Sequence, residues 1–320
     1  MKKTILAMAV PALLAAGTAS ASINLHDADG VSVSLKGASE IQYAQLLKKN
    51  ADGAFRIDDG DLELNTSVEI SDSLSAIADL AFEFESGDFT NDVVYVGLDG
   101  DFGTVTFGRQ YLISDDAGIG KDYELGFEQF GFVTTHGSQA AKYTYDADQF
   151  YFGVSTLLTS DGVDTTDNEP TVVDGRIGAR FGDLDARVYI YNGQDLSFKY
   201  DGTTAVATDV NAFDIEAEYS FDAISLAALY GQLEYKRVSD GDKYKLNVVE
   251  IAASYSMGDF TYAVGYNIVD SDVSGVDTIN NYYGNVTYKL NGNAKVYAEL
   301  GDADVDGIDM GYVVGMEVAF

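Results

Sequence analysis

Asp309-Met-Gly-Tyr-Val-Val-Gly-Met-Glu-Val-Ala-Phe320 closes the chain and decides how the rest of it is read. Met310, Tyr312, Val314, Met316, Val318 and Phe320 take every second position, and Gly311, Val313, Gly315, Glu317 and Ala319 fill the gaps. This is the period of a β-strand with one apolar face and one face that tolerates water or tight packing. The strand stops on an aromatic residue. The last strand of a membrane β-barrel can stop in this way, because it closes the ring and lies in the bilayer.

At the other end, residues 1–21 read as a secretory leader. Lys2 and Lys3 give a charged start, Ile5 to Ala16 an apolar run, and Ala19-Ser20-Ala21 a small-residue cleavage site. The run is too short for a membrane-spanning helix. The expected mature protein is one domain, residues 22–320, outside the cytoplasm. Of its 320 residues, the chain has 19 Lys+Arg, two of them in the leader, against 52 Asp+Glu. Such acidity argues against nucleic acid as a partner, since phosphates are repelled, and is compatible with cations. There is no Cys, so neither a disulfide framework nor a thiolate metal site exists. Of the two Pro, Pro11 lies in the leader and Pro170 in a polar connection, so no candidate strand loses a backbone donor. Beyond the leader no apolar run reaches the roughly 18–20 residues of a membrane helix, so any membrane crossing falls to strands.

Period-2 segments bounded by Gly, Asp, Asn and Ser fall at 31–43, 60–70, 74–87, 91–99, 103–110, 139–145, 149–160, 171–181, 184–194, 211–220, 223–238, 242–257, 259–270, 277–290, 293–302 and 308–320. These are about sixteen strands. Tight connections (Ser71-Asp-Ser73, Asp99-Gly-Asp101, Asp146-Ala-Asp148, Gly182-Asp183, Asp222, Gly258-Asp259, Asn291-Gly-Asn293) alternate with mostly longer ones (Ala44–Asp59, Tyr111–Ser138, Ser160–Pro170, Asp195–Asn211, Ser271–Val276). An antiparallel up-and-down barrel has short turns on one rim and long loops on the other. A Greek-key sandwich has no reason to alternate so regularly.

Alternation alone does not choose between a sandwich core and a lipid-facing surface. Three features favour the membrane barrel. Phe102, Phe150, Phe181, Tyr219, Phe221, Phe260, Tyr288 and Phe320 stand beside the short turns, as an aromatic girdle would. Strand interiors are rich in Gly and Ala, too small to fill a thick core. The polar face carries many carboxylates, which suits a wet lumen.

Four segments resemble the Gram-negative general diffusion porins. Asp29-Gly-Val-Ser-Val-Ser-Leu-Lys-Gly37 is similar to that family's first strand, and Glu69-Ile-Ser-Asp-Ser-Leu-Ser-Ala76 to its first short turn. Val96-Gly-Leu-Asp-Gly-Asp-Phe-Gly-Thr-Val-Thr-Phe-Gly-Arg-Gln110 resembles the hairpin before its third loop, and the strand ending at Phe320 its last. The resemblance implies an all-β, transmembrane barrel of about sixteen strands, a homotrimer in the outer membrane, and passive passage of small hydrophilic solutes and ions. It implies no cofactor. It further implies lipid and lipopolysaccharide neighbours, the latter through divalent cations, and recognition by the barrel-assembly machinery through the C-terminal strand, with Tyr312 and Phe320 as its signal.

In general porins the third loop folds into the lumen, and its acids face basic residues on the wall. By that likeness Asp115, Asp116, Asp122, Glu124 and Glu128 are the acidic candidates, although the family's Pro-Glu-Phe-Gly-Gly signature is missing. Arg109 is the leading basic candidate. Strict alternation puts it on the lipid side, where an unpaired Arg costs roughly 2–4 kcal/mol, so a break at Gly108 is expected. Lys36, Lys142, Arg176 and Arg180 fall on lumen parity. The family's wall arginine on the second strand aligns with Asp61, and Arg56 is read as lying in the neighbouring loop. The carboxylate excess predicts a preference for cations.

The rival readings are weaker. An outer-membrane hydrolase needs a nucleophile and a positioned base. His26 reads as a turn residue and His136 as part of the third loop, with no Gly-x-Ser-x-Gly or His-Glu-x-x-His nearby. Asp161-Gly-Val-Asp164 and Asp302-Ala-Asp-Val-Asp306 lack a calcium-loop spacing. A substrate-specific channel, for sugars for instance, would place aromatic platforms in the lumen. Tyr189, Tyr191 and Tyr297 have that parity, but Trp is absent.

Overall fold

A computed structural model of the chain describes residues 22–85, 89–159, 171–199 and 205–320. The leader at 1–21 and the connection at 160–170, with its Pro and its first Asp pair, lie outside these residues.

The chain opens with a hairpin of β1 (Ile23–Ala28) and β2 (Val31–Gln45). It then runs up and down through β3 (Ala54–Ser71), β4 (Leu74–Glu83), β5 (Thr90–Gly100), β6 (Gly103–Tyr111), β7 (His136–Asp146) and β8 (Phe150–Thr159). The second half comprises β9 (Thr171–Phe181), β10 (Leu184–Phe198), β11 (Val206–Phe221), β12 (Ile224–Arg237) and β13 (Lys243–Met257). It ends with β14 (Phe260–Ser271), β15 (Ile279–Asn291), β16 (Ala294–Ala303) and β17 (Gly311–Ala319). Every consecutive pair is antiparallel, and β17 pairs with β2, so β2 to β17 close a 16-strand ring. Closure removes every exposed ladder edge from the bilayer, where an unpaired backbone group would be costly.

The seam uses both chain ends. β17 covers Ala38–Gln45 of β2, and β1 covers Val31–Leu35 along the same edge. Between them Gly37 N–H donates to Phe320 O at 2.8 Å, and Phe320 N–H donates to Gly37 O at 2.9 Å. A Cβ on Gly37 would meet the Phe320 ring at 2.6 Å, so the position needs glycine.

The sixteen expected strands are all present, and two expectations are corrected. β1 was not foreseen, and His26 lies in it rather than in a turn. The turn is Asp29-Gly30, with φ of 54° and 75°, a two-residue hairpin connection. Strands also reach further on the long-loop side than the apolar pattern suggested. β3 starts at Ala54, which puts Arg56 in a strand, and β10 and β11 extend to Phe198 and from Val206. These extensions interleave Arg56, Asp58, Asp195 and Asp209 with apolar residues such as Phe55, Ile57, Leu196 and Val206, so their period is less plain in the sequence. Their side chains pair across the ladder, as Asn192 does with Asn211 at 2.7 Å.

The outer face is apolar and bare. Val96, Ile177, Ile190 and Val264 are each more than half exposed, and Phe102, Phe150, Phe181, Tyr219, Phe221, Phe260 and Tyr288 stand exposed beside the short turns. Water does not tolerate so continuous an apolar belt, whereas a bilayer requires it. The dry core lies inside the ring, on one side of the lumen only.

Candidate pore constriction

The inner half of β11 to β13 explains why the core is there. Val210, Ala212, Ala227, Leu229, Leu233, Val248 and Ala252 point inward and are buried, although Leu226, Ala228, Tyr230, Val249 and Ile251 on the outward face beside them are also apolar. A wet lumen would leave this inner face exposed to water. The third loop, residues 112–135, covers it. Its stem closes where Tyr111 pairs with His136, and Leu112 N–H donates to Thr135 O at 2.6 Å. Leu112, Ile113, Ile119, Phe130 and Phe132 then pack on that wall, and Leu125 packs on Tyr283, Tyr297 and Val313. Burying side chains of this size stabilises by about 1.5–3 kcal/mol each.

An inward loop has backbone donors that strands cannot satisfy. Wall side chains take them instead. Asp174 accepts Ser114 N–H at 2.8 Å, Glu216 accepts Gly118 N–H, and Glu250 accepts Phe130 N–H. Glu299 accepts three, from Tyr123 at 2.7 Å, Glu124 at 2.9 Å and Leu125 at 2.8 Å. Asn281 accepts Phe127 N–H at 2.9 Å and returns a bond to Leu125 O, also at 2.9 Å. Lys121, almost fully buried, pairs with Glu218 at 2.9 Å. The third loop is therefore folded into the barrel and fastened along β8 to β16. None of Lys121, Arg187, Glu216, Glu250 and Glu299 was singled out from sequence. A carboxylate on lumen parity looks the same whether it faces water or an incoming loop.

The acidic candidates divide. Asp116 pairs with Arg176 at 2.8 Å. Glu124 pairs with Arg56 and accepts Gln42 Nε2 at 3.1 Å. Asp122 turns back into the loop, accepting Gly126 N–H at 2.9 Å and Gln129 Nε2 at 2.7 Å. Glu128 is exposed at a left-handed φ of 53°. Asp115 opens to the lumen and accepts Thr135 Oγ1 at 2.8 Å. Enclosure by protein pushes its carboxyl above the ordinary value; the Thr135 bond opposes this and neighbouring Asp116 adds to it.

The basic candidates are gathered but already balanced. Lys142 Nζ donates to Tyr111 O at 2.8 Å. Arg176 lies over the rings of Tyr151 and Tyr189, and Arg180 forks onto Asp146 at 2.9 and 2.8 Å. Arg187 beside them pairs with Glu216. Lys36 stands apart, 3.7 Å from Glu63. Gly108 has a φ of 141° and the register toward β7 shifts between Gly108 and Gln110; Arg109 between them is half-buried, its Cα opposite Val94 of β5. Tyr189, Tyr191 and Tyr297 face inward as expected, but the loop buries them. Tyr189 and Tyr191 donate to Asp116 O and Thr134 O, and Tyr297 stacks on Tyr123 at 3.5 Å. The His136 ring lies 4.7 Å from that of Tyr111, tilted by 52°, and bonds Asp92 O at 2.9 Å.

The opposite half of the lumen is different. No described residue of β3, β4 or β5 is buried. Their inner face carries Asp59, Asp61, Glu63, Asp79, Glu83 and Asp99, and Asp59, Asp61 and Glu85 come within 4.8 Å of one another. The space left by the loop is thus bounded by an acidic wall on one side and by the loop edge with its balanced arginines on the other.

A family model described as Gram-negative porin matches residues 6–308. Over the full length of both proteins the chain is 48% identical to porin-like protein H of Photobacterium profundum. Among solved structures it resembles the trimer form of OmpT of Vibrio cholerae, with a TM-score of 0.77 and 20% identity over 91% of this chain and 100% of that one. It also resembles an anion-selective porin from Comamonas acidovorans, with a TM-score of 0.72 and 19% identity over 91% and 100% of the respective chains. Sequence match, closed ring and inward loop agree: the chain belongs to the Gram-negative porins, channel-forming proteins of the outer membrane rather than enzymes.

Proposed function

We propose that this porin conducts small hydrophilic solutes and ions passively, with a preference for cations, along the acidic wall of β3 to β5. One observation carries this reading: the loop seals the β8–β16 side and leaves the β3–β5 wall unburied. Carboxylates there outnumber Lys36 and Arg56, so a cation entering gains from their field and an anion loses. The arginines across the lumen do little to oppose this, because Asp116, Asp146 and Glu216 already neutralise them. The anion-selective Comamonas porin shares the barrel at an identity that speaks to fold alone.

A sugar-specific channel is the less favoured reading, because Tyr189, Tyr191 and Tyr297 lie beneath the loop and offer no exposed face for stacking. The protein is proposed to act as a homotrimer. The trimer form of the Vibrio cholerae protein supports this. So does an outer groove of about 450 Å³ lined by Thr66, Val68, Ala76, Ala78, Val96 and Leu98, which a neighbouring protomer would fill better than mobile acyl chains. Export by cleavage after residue 21, assembly through Tyr312 and Phe320, and divalent-bridged lipopolysaccharide at the outer loops belong to the same proposal.

Reversal potential across a KCl gradient in planar bilayers tests the selectivity. Potassium should permeate more readily than chloride, and the opposite sign would refute the cation reading. Liposome swelling with graded sugars should sort by size. Saturation by one sugar would favour the specific channel.

A further inference from the structure

We infer that the first and last outer loops, residues 46–53 and 304–310, form a clasp over the tip of the third loop, so that the passage is gated from the outer rim. The inference rests on the open-channel reading above. The two loops join β2 to β3 and β16 to β17, on either side of the seam. Lys49 of one pairs antiparallel with Ile308 of the other. At their base the Gln45 side chain donates to Met310 O at 3.2 Å. Asp304 ties the last loop to β15, its backbone N–H donating to Asn280 O at 2.9 Å and its carboxylate accepting Asn280 Nδ2 at 2.7 Å. Charge favours the pairing, since the first loop carries Lys48, Lys49 and Asp52 and the last carries Asp304, Asp306 and Asp309.

The clasp closes on Leu125, which is fully buried at the tip of the third loop. Two glycines form its socket. A Cβ on Gly301 of β16 would stand 2.6 Å from Leu125 Cβ, and one on Gly311 of β17 would stand 2.6 Å from Leu125 Cδ2. The same Gly311 position lies 3.2 Å from Leu47 Cδ2, so a leucine of the first loop and a leucine of the third meet over one glycine. Leu47 is buried, and Leu46, Phe127, Val305 and Ile308 pack against the same cluster. An outer loop that met only water would have no reason to bury a leucine. Three loops, far apart in sequence, thus share one apolar contact.

This contact divides the labour of holding the tip. Glu299 and Asn281 bind its backbone from the wall, whereas the clasp covers its side chain. The clasp is the weaker of the two. Lys48, Lys49, Asn50, Asp52, Asp304, Asp306, Gly307, Asp309 and Met310 are exposed, and short exposed segments open locally at far lower cost than strands of a closed ring. When the clasp opens, water reaches Leu125, the tip undocks, and residues 121–127 swing into the remaining passage and block it until they reseat. A contact on the outer rim that parts the two loops therefore shuts the channel without entering it.

The test compares wild type, L47A and the K49C/I308C pair, each first checked for folding by heat-modifiable electrophoretic mobility. Antiparallel partners stand about 4.5–5.5 Å apart at Cα, within disulfide range, and the native chain offers no competing thiol. Two quantities are read: hydrogen exchange of the amides of residues 121–127 in lipid, and the frequency of brief closures in single-channel recordings. L47A should raise both by about ten-fold, less than the full cost of truncating a buried leucine because Gly301, Tyr283, Tyr297 and Val313 still hold Leu125. The amides of residues 113–119, anchored on β8 to β11, should keep the wild-type rate. Oxidising K49C/I308C should bring exchange and closures to the wild-type level or below, and reducing it should raise both. Unchanged exchange at 121–127 in folded L47A, or a rise shared equally by 113–119, would overturn the inference. So would a cysteine pair that stays reduced under oxidant, or exchange that responds while closures do not. If wild-type protein conducts nothing, the channel reading falls, and the exchange rates still show whether the clasp holds the tip.

Discussion

Glu299 offers the sharpest perturbation of the loop. Its carboxylate is about 1% exposed, and its two oxygens accept N–H groups of Tyr123, Glu124 and Leu125 together with Asn285 Nδ2 at 3.0 Å. Glu299→Gln keeps the shape but replaces one oxygen with an NH2 group. If the remaining carbonyl serves Glu124 and Leu125, the new amide faces the Tyr123 and Asn285 donors and can accept from neither. One charge-assisted backbone bond is then lost, worth about 2 kcal/mol, and the two that survive weaken from charged to neutral. Allowing for relaxation, the docked tip loses about 3 kcal/mol. That corresponds to on the order of 100-fold more frequent opening of this segment. Hydrogen exchange read by mass spectrometry on protein in lipid should show the amides of residues 121–127 exchanging faster by that factor, with β15 and β16 unchanged. Unchanged exchange at 121–127 would show that the wall carboxylate does not fasten the loop. Uniform acceleration along the whole barrel would show that it acts on global stability instead.

Other perturbations probe the remaining parts of the account. Phe130→Ala should cost about 3–5 kcal/mol of loop docking, because the buried ring lies over Gly231 and 4.9 Å from Phe132; single-channel recordings should become noisier while the barrel's heat-modifiable band persists. Ile177→Arg on the lipid face of β9 should destabilise the barrel by roughly 2–4 kcal/mol in urea titrations with phospholipid vesicles, and no loss would argue that this face meets water. Asp115 titrates above the ordinary Asp value of 3.8. A raised carboxyl costs stability while charged and is relieved on protonation, so acidification through that range should not loosen the loop at this residue. It should lower cation preference, and Asp115→Asn should remove that part of the pH dependence of the reversal potential.

The barrel was legible because lipid imposes a period of two on the outer face. Phe260, Tyr262 and Val264 in β14 need no knowledge of the lumen to be placed. Strand ends were less legible on the long-loop side, where β3 from Ala54 to Gly60 interleaves Arg56, Asp58 and Asp59 with Phe55 and Ile57 and looks like loop. β1 escaped notice because six residues with a mid-strand His26 carry too little pattern, although Asp29-Gly30 marks its turn. The inward course of the third loop came from resemblance. A physical sign was nevertheless present in β12, where Leu226, Ala227, Ala228, Leu229 and Tyr230 are apolar on both faces, so something dry had to cover the inner one. What no local pattern could supply was pairing. Asp116 meets Arg176, and Glu124 meets Arg56, across sequence separations that only the closed ring brings together.

The most direct test uses the absence of cysteine from the native chain. Single cysteines at Asp79, on the open wall of β4, and at Leu229, beneath the loop on β12, can each be challenged with a charged, membrane-impermeant thiol reagent during single-channel recording. The account predicts stepwise loss of current for D79C and none for L229C. Reaction and block at position 229 with an inert position 79 would put the water on the wrong side of the loop and contradict it.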